Sequence, residues 1–278
     1  MDISGRRWKI TGFFLFLIIL VIALYLSAPI SSSGLHGNNS SGSQSGEKFI
    51  FYTEELPPLN YINQQGEISG RSTEVVREIA RRTGYDPEIH LGPWSKGYNI
   101  VLSKQGTALF STVRSHQRDN MFKWVGPIAT LEYSFYGMEG NTQDIHNLDD
   151  VRRAGLIAVV ENDARHQVLL SSGITNLLVL PDDRSCIAAL SEGKAALWFG
   201  TKETYSQGAI QIGDDMSRIR QVWSYQTVGL YIAFNINTPK SMISKWQLAL
   251  DSMKTDGTYE MILERYMPYI CSWVQCTN

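Results

Sequence analysis

The sequence predicts an α/β protein of two lobes, carried behind an N-terminal apolar segment. Three observations predict it. Short β-branched and aromatic runs alternate with amphipathic stretches along residues 48–266, the order expected when helices pack on a sheet. About 230 residues follow the apolar segment and the linker behind it, more than one sheet unit comfortably holds, which favours two lobes. No long period recurs, so nothing supports a repeat architecture.

In chain order, Lys48–Thr53 (KFIFYT) reads as a buried strand. Two prolines in Glu54–Pro58 stop any helix there, and Gln65-Gly66-Glu67 marks a turn. From Thr73 to Arg82, Val75, Val76, Ile79 and Ala80 share one helical face, and Gly84 fits the C-terminal stop. Ala108–Ser111 and Leu156–Val160 are short strands, the second followed by a helix through Val168 and Leu169 that stops at Gly173. Leu177–Leu180 is a strand, Ser185–Leu190 a helix and Ala195–Phe199 a strand. Val228–Phe234 is a further strand. Pro239 opens a helix whose inner face carries Met242, Ile243, Trp246, Leu250 and Met253. A last helix, Gly257–Tyr266, buries Tyr259, Ile262, Leu263 and Tyr266. The alternation predicts mostly parallel pairing.

Arg6, Arg7 and Lys9 precede an apolar run from Ile10 to Leu26. Positive charge, then apolar residues, then small residues is the order of a secretory signal, and the run is also near the lower length limit of a membrane span. Residues 1–28 are therefore a cleaved signal or a retained anchor. Either one sends the rest of the chain out of the cytoplasm, because the positive flank stays inside. Residues 29–46, rich in serine and glycine, read as a flexible tether. Outside the cell, Cys271 and Cys276 are candidates for a short disulfide loop. Cys186, in Ser-Cys-Ile-Ala-Ala-Leu, reads as a small core residue.

Composition narrows the function. There are 25 Lys+Arg against 27 Asp+Glu, a net charge of −2. That balance leaves no basic excess to neutralise a run of phosphates, which argues against a nucleic-acid binder. The three cysteines lack zinc spacing, and the five histidines are scattered. No G-x-S-x-G, H-E-x-x-H, Walker or G-x-G-x-x-G signature is present, so no cofactor or metal is expected. Adjacent acids such as Asp182–Asp183 read as solvated turns, since neighbouring side chains usually point apart.

One segment stands out: Phe110-Ser-Thr-Val-Arg-Ser-His-Gln-Arg118, then Phe122-Lys-Trp-Val-Gly-Pro127. Two arginines and several hydroxyls follow a buried strand, where open α/β sheets bind ligands. An arginine fork matches a carboxylate or phosphate. Pro93-Trp94 offers an aromatic wall. Read from the residues alone, the arginines serve either a ligand or a surface ion pair.

The order FYTEELPPLNY, SGRSTEVVREI, PW and ALFSTVRSHQRDNMFKWVGP resembles the first lobe of family 3 extracellular solute-binding proteins, the periplasmic amino-acid-binding components of ABC transporters. Ala158–Arg165 (AVVENDAR) resembles the first strand and ligand loop of their second lobe, and MKTDGTYEMILERY (253–266) their closing helix. The resemblance covers residues 47–268. It implies a type II periplasmic-binding-protein-like fold with the ligand cleft between the lobes. Residues 47–131 and 230–278 would form lobe one and residues 136–225 an inserted lobe two. The chain would cross near residues 131–136 and return near 225–230.

By the same resemblance, Arg118 grips a ligand carboxylate, Trp94 packs on the ligand, and Ser111, Thr112 and Val113 bind the same carboxylate. Thr53 or Glu54 stands where relatives place an acid near the ligand. Asp163, Ala164 and Arg165 lie on the second-lobe loop at a helix start, where free N–H groups favour an anion. Arg114 is a further charge near the crevice. Relatives usually place an aspartate after the strand matching Ala195–Phe199 to hold the ligand ammonium, whereas this chain reads Gly200-Thr201-Lys202. That departure keeps the ligand open: a small polar, carboxylate-bearing molecule, an amino acid or a related compound.

The implied role is capture by hinge closure for an ABC permease, by an extracytoplasmic monomer. Two alternatives stand beside it. One is an enzyme resembling cyclohexadienyl dehydratase on the same fold. The other is a membrane-anchored ligand sensor.

Overall fold

The computed structural model describes residues 49–140, 144–205 and 218–273, with residues 267–273 as backbone only. The expected signal or anchor and the tether, together with the side chains of Cys271 and Cys276, lie outside the described residues. Among the described residues no helix is long and apolar enough to cross a membrane.

Strand β1 (Ile50–Thr53) turns through a cis-proline pair into a small hairpin, β2 (Tyr61–Ile62) and β3 (Ile68–Ser69). Helix α1 (Arg71–Thr83) follows at once. Gly70 (φ +121°) is required there, because a Cβ would sit 2.3 Å from the Leu59 carbonyl oxygen. The helix buries Val75, Val76, Ile79 and Ala80 and ends on Gly84 in the left-handed conformation, as the sequence predicts. Next come β4 (Glu88–Leu91), α2 (Trp94–Ser103) and β5 (Thr107–Val113), then a short 3-10 turn over Asp119–Met121.

Strand β6 (Phe122–Met138) is 17 residues long and leads to α3 (Leu148–Arg153), β7 (Ile157–Val160), α4 (Ala164–Ser171), β8 (Leu177–Leu180), α5 (Asp183–Ser191) and β9 (Leu197–Gly200). A second 17-residue strand, β10 (Ile219–Asn235), returns, and α6 (Lys240–Thr255) and α7 (Thr258–Trp273) close the chain.

One eight-stranded sheet runs β4-β1-β5-β10-β6-β9-β7-β8. Its two ends are parallel, β4-β1-β5 on one side and β9-β7-β8 on the other. The centre is not: β10 runs antiparallel to β5 and β6, and β6 antiparallel to β9. The expectation of mostly parallel pairing therefore fails at the middle. Helical crossovers join parallel neighbours, but here two long strands pass between the halves and pair with each other. Each spans roughly 55 Å at about 3.3 Å per residue. Residues 131–133 of β6 pair with 226–228 of β10, so the two stretches expected to cross between lobes lie side by side.

Each half has its own core. In the first, Phe51 stacks on Trp246 at 5.0 Å, and Phe234 meets Trp246 edge-on at 5.3 Å. Val76, Ile79, Phe110 and Leu250 pack around them. In the second, Phe135 lies 4.5 Å from Phe199 and stacks on Trp223 at 5.6 Å. Cys186 is fully buried beside Trp198, as the sequence predicts. The molecule is a two-lobed α/β fold, each half of the sheet carrying its own core.

Candidate ligand-binding site

The C-terminal ends of β1, β5, β7, β8 and β9 converge on a cavity of about 530 Å³. This is where an open α/β sheet presents backbone and side chains to a ligand. Leu131, Tyr133 and Leu230, from the two long strands, join its lining.

On the first-lobe side, Arg118 stands at the turn after β5. Its N–H donates to the Ser115 carbonyl at 3.0 Å, and its own carbonyl accepts from Met121 N–H at 3.0 Å. The residue is only 6% exposed. The guanidinium carbon lies 4.4 Å from the Trp94 ring centroid and 5.5 Å from that of Tyr98, and those rings stack on each other at 4.7 Å one turn apart on α2. No carboxylate or carbonyl among the described residues accepts the N–H groups of the guanidinium. A buried guanidinium with free donors, facing a cavity, is short of an anion.

Ser111 and Val113 line the same wall. Ser111 has φ 58°, a left-handed conformation costly for a side-chain-bearing residue. Its hydroxyl donates to Asn60 Oδ1 at 2.5 Å, and Asn60 Nδ2 donates in turn to the Glu54 carbonyl. Those bonds hold the segment after β1 in place. Thr53 is buried behind the wall, its hydroxyl donating to the Phe110 carbonyl at 3.5 Å. Thr112 is fully buried with an unpartnered hydroxyl and is not among the lining residues. Arg114 is also off the lining: it pairs with Asp119 at 2.5 Å on the surface, near the Trp124 ring. Of the two readings open to the arginines in sequence, Arg114 takes the ion pair and Arg118 the cavity.

On the second-lobe side, Asp163 caps α4 by accepting from Arg165 N–H at 2.7 Å. The Arg165 side chain, 5% exposed, is held by Asp163 (3.0 and 3.1 Å) and by both oxygens of Asp183 (2.7 and 2.9 Å). Asp183 also accepts from Trp198 Nε1 at 3.3 Å. Burial alone would raise the Asp163 pKa, but the charge and hydrogen bonds of Arg165 outweigh it and hold it below the usual value. Burial likewise pulls on Arg165, and the two aspartates more than offset it. Arg165 and Ala164 line the cavity, but the guanidinium is already spent on protein carboxylates.

Thr201 and Thr204 cap each other at the end of β9: Thr201 N–H donates to Thr204 Oγ1 at 3.0 Å, and Thr204 N–H to Thr201 Oγ1 at 3.1 Å. The preceding Gly200 has no room for a side chain, since a Cβ would lie 2.3 Å from the Trp198 indole folded across it.

Glu54 is half-buried in the cavity wall, and no described residue donates a hydrogen bond to its carboxyl. Burial and the nearby Asp163 and Asp183 charges push its pKa up to about 8, against the opposing pull of Arg165 and Arg118.

Several lining residues escaped the sequence reading: Tyr133, Asn162, Thr204, Asp182 and Asp183. Asp182–Asp183, expected as a solvated turn, instead opens α5, with Asp182 capping it through Ser185 N–H and Asp183 holding Arg165. The available signal was position, because Pro181-Asp-Asp follows β8 just as Arg118 follows β5. Asn162 has φ 57°; it and Ser111 are the non-glycine residues with positive φ among those described, and both line the cavity.

Residues 50–269 match the family described as bacterial extracellular solute-binding proteins, family 3. The chain belongs to that family. This solute-binding protein is 20% identical over 154 residues to the Probable amino-acid ABC transporter periplasmic-binding protein y4tE of Sinorhizobium fredii. That match covers 53% of this chain and 51% of the relative, so the chain spans about half the length of the curated relative it matches.

Among solved structures, a histidine kinase sensor domain with similarity to periplasmic binding proteins superposes with a TM-score of 0.68 at 17% identity, covering 79% of this chain and 95% of that one. A periplasmic His/Glu/Gln/Arg/opine family-binding protein from Silicibacter pomeroyi, in complex with lysine, gives 0.64 at 20%, covering 79% and 96%. At these identities the likeness is one of fold.

Proposed function

We propose that this solute-binding protein captures a carboxylate-bearing small molecule of the amino-acid type in the cavity between its lobes, and hands it to an ABC permease. The single observation behind the reading is Arg118, a buried guanidinium without a hydrogen-bond acceptor among the described residues, stacked on Trp94 and facing the cavity. Arg118 forks the carboxylate, Trp94 and Tyr98 hold the fork flat, and Ser111 and Val113 complete that wall.

Residues 47–131 with 230–278 act as one lobe and 136–225 as the other. The Asp163–Arg165–Asp183 group is the rigid face that closes on the ligand. Closure bends β6 and β10 where they pair, and it proceeds only as far as the ligand's preference for the closed state drives it. The Sinorhizobium relative, named as a probable amino-acid ABC transporter periplasmic-binding protein, and the lysine in the Silicibacter structure agree with an amino-acid cargo. The role is capture without turnover, by a monomer in the periplasm or at the cell surface, with residues 1–28 as signal or anchor and 29–46 as tether. In this reading Cys271 and Cys276 form a short disulfide loop at the C-terminus.

A thermal-shift screen of amino acids and small carboxylates against the purified protein and Arg118→Ala tests this. A ligand at a hundred times its Kd adds roughly 2.7 kcal/mol of stability. A hit that vanishes in Arg118→Ala supports the reading. The absence of any hit with folded protein overturns it, and so does consumption of arogenate or prephenate by the protein.

A further inference from the structure

Arg71 and Glu203 meet outside the cavity, and neither lines it. Each stands on a fixed post. The Arg71 N–H donates to the Pro58 carbonyl at 3.0 Å, and α1 behind it packs against α6 and α7 in the first core. Glu203 is carried by the turn after β9, which Thr201 and Thr204 lock by capping each other. The first post belongs to one half of the sheet and the second to the other.

The Arg71 guanidinium also reaches the strands that join the halves. Its Nη2 lies 3.4 Å from Glu203 Oε1 and 3.5 Å from the Thr130 carbonyl oxygen. Thr130 pairs with Gly229, beside the stretch where β6 and β10 pass from one half to the other. Both contacts are at the long end of hydrogen bonding, and Arg71 Nε is buried with no acceptor among the described residues. At the other end, burial holds the Glu203 carboxyl above its usual pKa, outweighing its backbone hydrogen bond, Arg71, Thr201 and Lys202. Each charge is thus incompletely compensated. A shorter separation relieves both, because attraction grows as distance falls and is least screened where water is excluded.

With both posts fixed, the separation shortens when β6 and β10 bend and the turn after β9 moves toward α1. Thr201 and Thr204, on either side of Glu203 in that turn, line the cavity. Resting on the proposed bending of β6 and β10, we infer that Arg71 and Glu203 form a latch outside the ligand cavity, which draws the two halves together and sets how far the empty cavity stands closed. Apparent affinity scales with the fraction of protein already in the binding-competent form. The latch therefore sets the strength of capture without touching the ligand.

Pulsed electron paramagnetic resonance on the ligand-free full chain tests this, with nitroxide-bearing unnatural amino acids at Lys96 and Arg184. Those exposed positions stand near the starts of α2 and α5, on opposite rims of the cavity. The ratio of short to long distances should fall about fivefold in Arg71→Ala and in Glu203→Ala, the factor that matches about 1 kcal/mol. The isosteric Glu203→Gln should move the ratio the same way. Arg71→Lys, which keeps the charge, should recover most of it. A merely structural contact would lower the urea midpoint and leave the distances alone.

A spread of distances that none of the variants alters would overturn the latch and leave the hinge intact. One narrow distance shared by the wild type and every variant would overturn both.

Discussion

The guanidinium of Arg118 lies 4.4 Å from the ring centroid of Trp94, nearly sealed from solvent and bonded to no carboxylate among the described residues. A surface arginine has water for its donors. This one has an aromatic face on one side and a cavity on the other. Arg118→Ala should therefore lose at least a hundredfold in ligand affinity, with little change in unfolding midpoint. Arg118→Lys should recover only a small part, since a point charge neither stacks nor forks. Titration calorimetry against the best ligand of the screen reads both.

The Arg165 group carries stability as well as shape. Asp183→Ala leaves a buried guanidinium with half its partners, and breaking a buried pair from one side costs about 3–5 kcal/mol. Urea unfolding of the variant should show a loss near the low end, because Asp163 remains in place and Asp183 is itself 22% exposed. A loss below about 0.5 kcal/mol would place the pair among ordinary surface bridges.

Glu54 makes the empty protein sensitive to alkali. Its pKa is raised on folding, so the folded chain holds a proton that the unfolded chain releases, and stability falls as pH rises from about 4.5 towards 8. Glu54→Gln removes that slope. At pH 8.5 without ligand the variant should be the more stable by about 2–4 kcal/mol, and at pH 4.5 the two should match. Unfolding at the two pH values checks it.

Arg71, at the start of α1, meets Glu203, just beyond β9, at 3.4 Å, with both side chains 14% exposed. The pair joins the two halves of the sheet beside the cavity. A double-mutant cycle with Arg71→Ala and Glu203→Ala should return a coupling of about 1 kcal/mol on unfolding, more than an exposed pair yields. Zero coupling would mean that the contact does nothing to hold the halves together.

The first-lobe core turns on Trp246, which is fully buried and packed against Phe51 and Phe234. Trp246→Ala should cost about 3–5 kcal/mol. Trp246→Phe should cost much less, because the indole N–H has no acceptor and its removal relieves a buried unpaired donor. Chemical denaturation distinguishes the two.

Much of the fold was legible because local pattern and tertiary role agree. The apolar faces of α1 and α6 carry their helical period openly, and Gly84 ends α1 where a left-handed residue is needed. The long strands β6 and β10 were harder to read. Gly126-Pro127 interrupts the first, and the early half of the second (Ile219–Thr227) is largely half-exposed, with no clean alternation. Their pairing with each other, rather than their own residues, makes them strands. In the cavity wall, Arg118 could be anticipated from its place after a strand, and Trp94 from the aromatic wall that Pro93-Trp94 offers. Asp183 could not, because nothing near residue 183 announces a partner at residue 165.

The sequence by itself determined which residues stand at the ends of the strands, and so which could face a ligand; that follows from short-range patterning and chain order. The tertiary structure decided what each of them does there. Arg114 turns outward to Asp119, Arg165 is consumed by Asp163 and Asp183, Arg118 is left with free donors, and Glu54 keeps a proton. Charge acts through space and strengthens with burial, so the state of residue 54 depends on residues 118, 163, 165 and 183, which no local stretch of chain brings together.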